Sequence, residues 1–367
     1  MQEILATITQ LLLRCRDALT CLIWFLAFGT ASAQNADKPA TYRFQAAASP
    51  IDRPARAHTS GSAYKGALAD ALVHIDPGYS PERMQEALQS EGVLFAVAMP
   101  VPNEGLGHRT VDGTMQKIKM AQSFAPNLKA MCAGDYMSNW LVEADKGITL
   151  SSAIESRFKR LESDLDSGWC LGIGELGLLH FNKSGQQNVI DSRFDAPLML
   201  RLVDIVGQRN AWIQLHAEPR EPNGRSRASE VWKALGLWTK RQPTLKIMLS
   251  HTGMSSAADA RKILEIYPQV YMSIKLMNSN NSVWSHLEPL QNADGELYED
   301  WAALIEAMPE RFVVGSDVKF GQAHHESGEK YDHHIRKFRR MLGSLHPEAS
   351  RLIALENVKR LYGFNSD

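Results

Sequence analysis

The chain has 367 residues, carries 40 basic against 41 acidic side chains for a net charge of −1, and is 44% hydrophobic. That length supports a large core, and nothing in the balance of charge suggests nucleic acid or a membrane surface as a partner. Four cysteines are too few for a disulfide framework.

Arg14 and Arg16 precede an apolar run from Leu19 through Phe28, and Ala31-Ser32-Ala33 then offers small residues before Gln34. This is the layout of a secretory signal over residues 1–33, and it predicts a periplasmic or secreted protein. A membrane anchor is the alternative, but a span takes about 20 uninterrupted apolar residues. Here Arg14 and Arg16 break the run on one side, and Gly29, Thr30 and Ser32 weaken it on the other. Cys21 sits inside the run instead of after it, which argues against a lipid anchor. Residues 34–68, rich in Ala, Ser, Pro and Arg, read as an extended or poorly ordered arm. Signal removal would leave Cys132 and Cys170 on adjacent predicted strands. One bridge is open to them, and two buried thiols is the plainer expectation.

From residue 69 the chain alternates apolar runs with amphipathic stretches to its end. The runs are Leu72 to Ile75, Val93 to Met99, Leu128 to Ala133, Cys170 to Glu175, Ala211 to His216, Leu245 to Ser250, Val270 to Lys275 and Arg311 to Ser316. Parallel strands cannot be joined by tight turns, so eight runs separated by helical patterns predict one parallel sheet with crossover helices. Eight members fit a single-domain (β/α)8 barrel, which takes about 250 residues before insertions. An open doubly wound sheet is second choice, because no Gly-x-Gly-x-x-Gly follows the first strand. Ser80-Pro81 predicts a helix start with a serine cap and proline at the first position, and Met84, Ala87 and Leu88 share a face. Asp195-Ala196-Pro197 predicts another, with Leu198, Leu202, Ile205 and Val206 as its stripe. Met199, Trp140, Trp212 and Trp301 read as packing residues.

Candidate ligands share one address. Glu175, His216 and Asp317 stand at the carboxyl ends of predicted strands and His251 directly follows one, which is where barrels of this kind carry their sites. A lone strand-end histidine is usually a hydrogen-bonded core group. The order Glu, His, His, Asp on strands four, five, six and eight is harder to reach by chance, and it points to a divalent metal.

Those segments resemble the amidohydrolase superfamily. Asp70-Ala71-Leu72-Val73-His74 followed by Glu91-Gly92-Val93 through Met99-Pro100 is similar to the family's opening, where Asp-x-His-x-His precedes a helix and a Gly-Val strand. Gly172 to Leu178 resembles the fourth-strand segment of the TatD-like hydrolases, and Gln214-Leu215-His216 and Leu249-Ser250-His251 resemble the fifth and sixth strands. Gly315-Ser316-Asp317 and the helix Glu356 to Gly363 resemble those of amidohydrolase-related decarboxylases and lactonases. The resemblance implies a metal centre on His74, Glu175, His216, His251 and Asp317, with Asp317 orienting water and moving its proton.

Leu72 departs from that pattern. It replaces the first histidine of the opening motif and shares a face with His74, because side chains alternate along a strand. A two-metal centre thereby loses a nitrogen donor, whereas Glu175, His216 and His251 still form the three-ligand set with an open position that catalytic zinc uses. One ion is expected, Zn²⁺ ahead of Mn²⁺ or Fe²⁺.

Lys275 ends the seventh run, and Lys319, His324 and His325 follow Asp317, so cations could meet a substrate carboxylate or phosphate there. Pairing of Lys275 with a neighbouring acid is the competing expectation. The connection from Tyr136 to Ile148 is longer than a usual βα loop and reads as a lid. The function expected is hydrolysis of a C–N, C–O or ester bond in a small organic molecule. A metal-independent lactonase, a non-oxidative decarboxylase and a silent binding protein stay open, as does a homo-oligomer. A TatD-type nuclease is disfavoured by Gly-Ser-Asp and the lack of a basic stripe.

Overall fold

A computed structural model describes residues 53–56, 63–75, 80–102, 111–147, 151–181, 189–276, 289–292, 294–320 and 329–364. The expected signal, most of the arm, and His324 and His325 lie outside the described residues. The strands are β1 (Leu68–Ile75), β2 (Val93–Ala98), β3 (Leu128–Ala133), β4 (Cys170–His180), β5 (Ile190–Asp191), β6 (Trp212–Ala217), β7 (Lys246–Leu249), β8 (Val270–Ile274), β9 (Phe312–Val314) and β10 (Val318–Phe320). All but β5 pair in parallel, in the order β10-β1-β2-β3-β4-β6-β7-β8-β9.

Both ends of that order belong to one stretch of chain, residues 312–320. β9 pairs with β8 and β10 pairs with β1. Between them the Gly315 amide donates to Ile274 O at 3.0 Å and the Asp317 amide to Leu72 O at 2.9 Å. The sheet therefore closes on itself, with β9 and β10 as two halves of its eighth stave. This is the (β/α)8 barrel expected from the runs.

Two apolar layers hold it. Inside the barrel, Ala69, Leu72, Val97, Met99, Met131, Trp212, Met248 and Val313 pack together with Tyr362 and Phe364 from the C-terminal end. Outside it, Val73, Ile173, Leu215, Ile247 and Ile274 meet helix residues such as Leu202, Leu235, Trp301 and Phe338. Alternation along each strand sends successive residues to different layers. The helices Pro81–Ser90 and Pro197–Gln208 start as expected, the first with Ser80 Oγ accepting from the Arg83 amide at 3.4 Å. Trp140, Met199, Trp212 and Trp301 are buried, as packing residues should be.

Three expectations change. The Tyr136 to Ile148 connection is no lid: Gly134–Asp145 is a helix with residues 134–141 buried, and Ile148 lies outside the described residues. Within the helix Ser138 Oγ donates to Gly134 O at 2.6 Å and accepts from the Gly177 amide at 2.9 Å, and Asn139 donates to Pro102 O. Their polarity serves tertiary bonds. Cys132 and Cys170 are joined in a disulfide instead of standing as two thiols. Part of the arm is docked: Ala55 bridges to Tyr298, Arg53 pairs with Asp300, and Arg56 pairs with Glu299 and Glu306.

The site-bearing strands β1 and β9/β10 are tied by one buried carboxyl. Asp70 Oδ1 accepts from the amides of Ser316 at 2.9 Å and Leu72 at 3.2 Å, and Oδ2 accepts from Tyr331 OH at 3.2 Å. Burial is the largest influence and pushes its pKa up from 3.8 to about 6, against those donors. The fold thus prefers the protonated acid, so this stabilisation is full below about pH 3.8 and is lost as the pH rises through about 6. Two pKa units correspond to about 3 kcal/mol. Urea denaturation of wild type and Asp70→Asn at acid and neutral pH should show a change in stability smaller by about that amount in the variant; parallel profiles would mean the carboxyl does not titrate in this window.

Candidate metal centre

Six side chains converge at the carboxyl ends of the strands. His74 is next to last in β1, Glu175 lies in β4, His216 is next to last in β6, and Lys275 directly follows β8. His251 sits in the 3-10 turn Ser250–Met254 after β7, and Asp317 joins β9 to β10. The backbone bends sharply at two of these ends: φ is 58° at His251, 54° at Thr252 and 57° at Asp317. Non-glycine residues in the left-handed region cost about 1–3 kcal/mol each and gather where function needs a side chain aimed. Gly134 is required for the opposite reason, since a Cβ there would strike the backbone of Glu175.

Glu175 is the hub. Its Oε1 lies 3.2 Å from His216 Nδ1 and 3.4 Å from His251 Nε2, while Oε2 is 3.7 Å from His74 Nε2. Asp317 Oδ1 is 2.8 Å from His74 Nε2, and its Oδ2 contacts the Lys275 ammonium and lies 3.8 Å from His251 Nε2. Two ligand groups result, Glu175/His216/His251 and His74/Glu175/Asp317, each with its donor atoms within 4.8 Å of one another. Glu175, His216, His251 and His74 are at most 4% exposed.

Proton accounting shows what such a centre lacks. His216 Nδ1 faces Glu175 and its Nε2 faces Glu218 Oε1 at 3.1 Å. A neutral imidazole has one N–H and one lone pair, so one of the two carboxylates must meet a lone pair unless a proton or cation stands between. His74 repeats the pattern. Its Nδ1 lies 2.8 Å from Met99 O, which only accepts, so a neutral ring spends its one N–H there and Nε2 can bond Asp317 only through a second proton or a cation. His251 Nδ1 is buried with no hydrogen-bond partner among the described residues.

The electrostatics agree. Burial raises the Glu175 carboxyl, but the rings of His216 and His251 hold it well below the usual carboxylate range. Burial likewise raises Asp317, and Lys275, His251 and His74 overcome it and hold the group ionised. Burial lowers His216, yet Glu175 and Glu218 raise it above the ordinary value. Burial and then Lys275 push His251 down to about 4, which leaves it neutral and able to ligate near neutrality.

The structure brings all five expected ligands together. Lys275 is paired with Asp317, as the competing expectation had it. Lys319 is half-buried and stands beside His74 in the β1–β10 register. Glu218 and His180 escaped the sequence reading. Glu218 is fully buried, its Oε2 accepts from the Phe181 amide at 3.1 Å, and His180, His216 and Glu218 form a third group within 4.8 Å. The signal was available, since Glu218 follows His216 by two residues and alternation puts both on one face.

No family model and no curated protein matches the sequence. Among solved structures the chain is similar to a 2,6-dihydroxybenzoate decarboxylase complexed with 2,6-dihydroxybenzoate, at 11% identity and a TM-score of 0.49, over 82% of this chain and 100% of that one. Dihydroorotase from Saccharomyces cerevisiae is similar at 15% identity and a TM-score of 0.49, over 82% and 85% of the two chains. Enamidase, described as a member of the amidohydrolase superfamily, is similar at 16% identity and a TM-score of 0.47, over 82% and 68%. The barrel assigned above rests on the chain's own strand order, and the site on its own geometry.

Glu218 has the position of a carboxylate that orients a histidine ligand through its second nitrogen. Replacing it with alanine should weaken binding of a divalent ion about 10- to 100-fold while the barrel stays folded. Titration of metal-free protein with Zn²⁺, followed calorimetrically, measures this; unchanged affinity would remove Glu218 from the centre.

Proposed function

We propose that this chain is a metal-dependent hydrolase of the amidohydrolase kind, cleaving a C–N, C–O or ester bond in a small organic substrate. The observation that carries the reading is His216 held between two buried carboxyl groups, with a His251 nitrogen turned to the same Glu175 oxygen. Glu218 accounts for the N–H of His216, which turns the Nδ1 lone pair toward Glu175. One anionic oxygen and two imidazole nitrogens then face one point, and a divalent cation satisfies all three.

Glu175, His216 and His251 would hold that ion; when bound, it would lower the pKa of water from 15.7 toward about 7 and polarise the scissile carbonyl. Nitrogen and oxygen donors suit Zn²⁺ and also accept Mn²⁺ or Fe²⁺. Asp317 would orient the attacking water, accept its proton and return it to the leaving group. A carboxylate held so far below its ordinary pKa is a weak base, so it can serve only where the water is itself made acidic. His74, fixed by Met99 O, stands 2.8 Å from Asp317 Oδ1. Lys319, beside His74 in the register, would meet an anionic group of the substrate. The Cys132–Cys170 bridge suits an exported protein, in keeping with the proposed signal.

Leu72 favours the second reading, a lactonase or non-oxidative decarboxylase that works without metal. Elemental analysis of protein purified without chelator separates the two. Substitution of Glu175, His216 or His251 by alanine should release the ion with the circular dichroism unchanged, because these residues gather at the mouth and are not part of the apolar cluster inside the barrel. Metal content unaltered in both His216→Ala and His251→Ala would refute the ligand set. Asp317→Asn should keep most of the ion and lose about 10²–10⁴ in turnover of whichever ester, lactone or cyclic amide the wild type accepts.

A further inference from the structure

We propose that the Lys275 ammonium stands in for the second cation of a two-ion centre, so that this site takes one divalent ion and draws its other positive charge from the chain. The inference rests on the metal-dependent reading above and extends it to a residue for which that reading has no role.

Consecutive inward-facing levels of the barrel carry the inference. A Cβ placed on Gly315 would lie 3.1 Å from Leu72 Cβ and 3.0 Å from Ser273 Cβ, so these three residues of neighbouring staves share one level. Two residues further along each stave stand His74, Asp317 and Lys275. At this upper level Asp317 is flanked on both sides, with His74 Nε2 2.8 Å from Oδ1 on the β1 side and the Lys275 ammonium on Oδ2 on the β8 side. His74, Glu175 and Asp317 are otherwise a complete three-donor group, with ligand atoms within 4.8 Å of one another. Two things oppose an ion there. Leu72 closes the level beneath with carbon and offers an ion no donor from below, and an ammonium already occupies the carboxylate.

Lys275 is built into this position. Its side chain is 15% exposed and that of Asp317 10%, so the pair is largely shielded from solvent. A lysine ammonium is a compact charge with three donors on a long stem, and it can neutralise a carboxylate without demanding a coordination shell. Carbon at Leu72 and a fixed cation at Lys275 thus act together against a second ion.

The test is metal stoichiometry by elemental analysis after dialysis against excess Zn²⁺, repeated with Mn²⁺, on folded protein checked by circular dichroism. Wild type should hold one ion per chain. Leu72→His alone should still hold one, since the ammonium keeps its place, and Leu72→His with Lys275→Met should hold two. Leu72→His with Lys275→Arg keeps the charge and should return to one; Lys275→Gln replaces Lys275→Met if the latter does not fold. A second ion in Leu72→His alone, or a single ion in the charge-free double variant, overturns the inference while leaving the one-ion hydrolase reading intact. A wild type that binds no ion overturns both.

Discussion

Three carboxyl groups, Glu175, Glu218 and Asp317, are buried together at one mouth of the barrel, and the rest of the site is arranged around their charge. Anionic oxygens cannot be removed from water without a counter-charge or donors to replace it. Lys275 answers for one oxygen of Asp317 and the Phe181 amide for one of Glu218. The three histidines answer for most of what is left, but each offers a single N–H while neutral, and His216 and His74 each face acceptors on both nitrogens. A positive charge belongs between them. That need, more than any one ligand, is why the site reads as a metal centre.

The barrel makes this concentration of charge possible. Packing of the interior cluster around Leu72, Met131 and Met248 excludes water from below, and the closure of residues 312–320 against both β8 and β1 holds Asp317 between His74 and Lys275. Asp70 secures the same seam one level down, through the Ser316 and Leu72 amides. The helix Gly134–Asp145 braces β4 from the side, with Gly134 pressed to the backbone of Glu175 and Ser138 bonded to the Gly177 amide. Local strain at His251 and Asp317 is tolerated because both neighbouring staves fix those turns.

Legibility in the sequence followed the range of the interactions. The alternation of apolar runs with amphipathic stretches was enough for the barrel, because burial on both faces of a parallel strand leaves a run of Val, Ile and Leu whatever the partner. The positions of His74, His216, His251 and Asp317 at or just past strand ends, and of Glu175 within the fourth strand, were legible for a related reason, since a polar residue that interrupts such a run stands out. The Tyr136 to Ile148 connection was not legible as a buried helix, because the bonds that tie Ser138 and Asn139 into the fold go to residues far along the chain. The bridge between Cys132 and Cys170 depended on how neighbouring strands present their side chains.

The sequence by itself determined the parallel eight-stave architecture, the end of the barrel that bears the site, and the residue types available there, since these follow from periodicity and from position within each run. Only the tertiary structure decided which atoms face which. That Lys275 lies on Asp317 and not free at the mouth, that Glu175 stands between His216 and His251, and that Leu72, Ser273 and Gly315 close the level below are contacts between staves distant in sequence. Such pairings are fixed by register, closure and the positive-φ turns at His251 and Asp317. A one-residue slip would turn each of these side chains to the other layer, so no count along the chain could have set them.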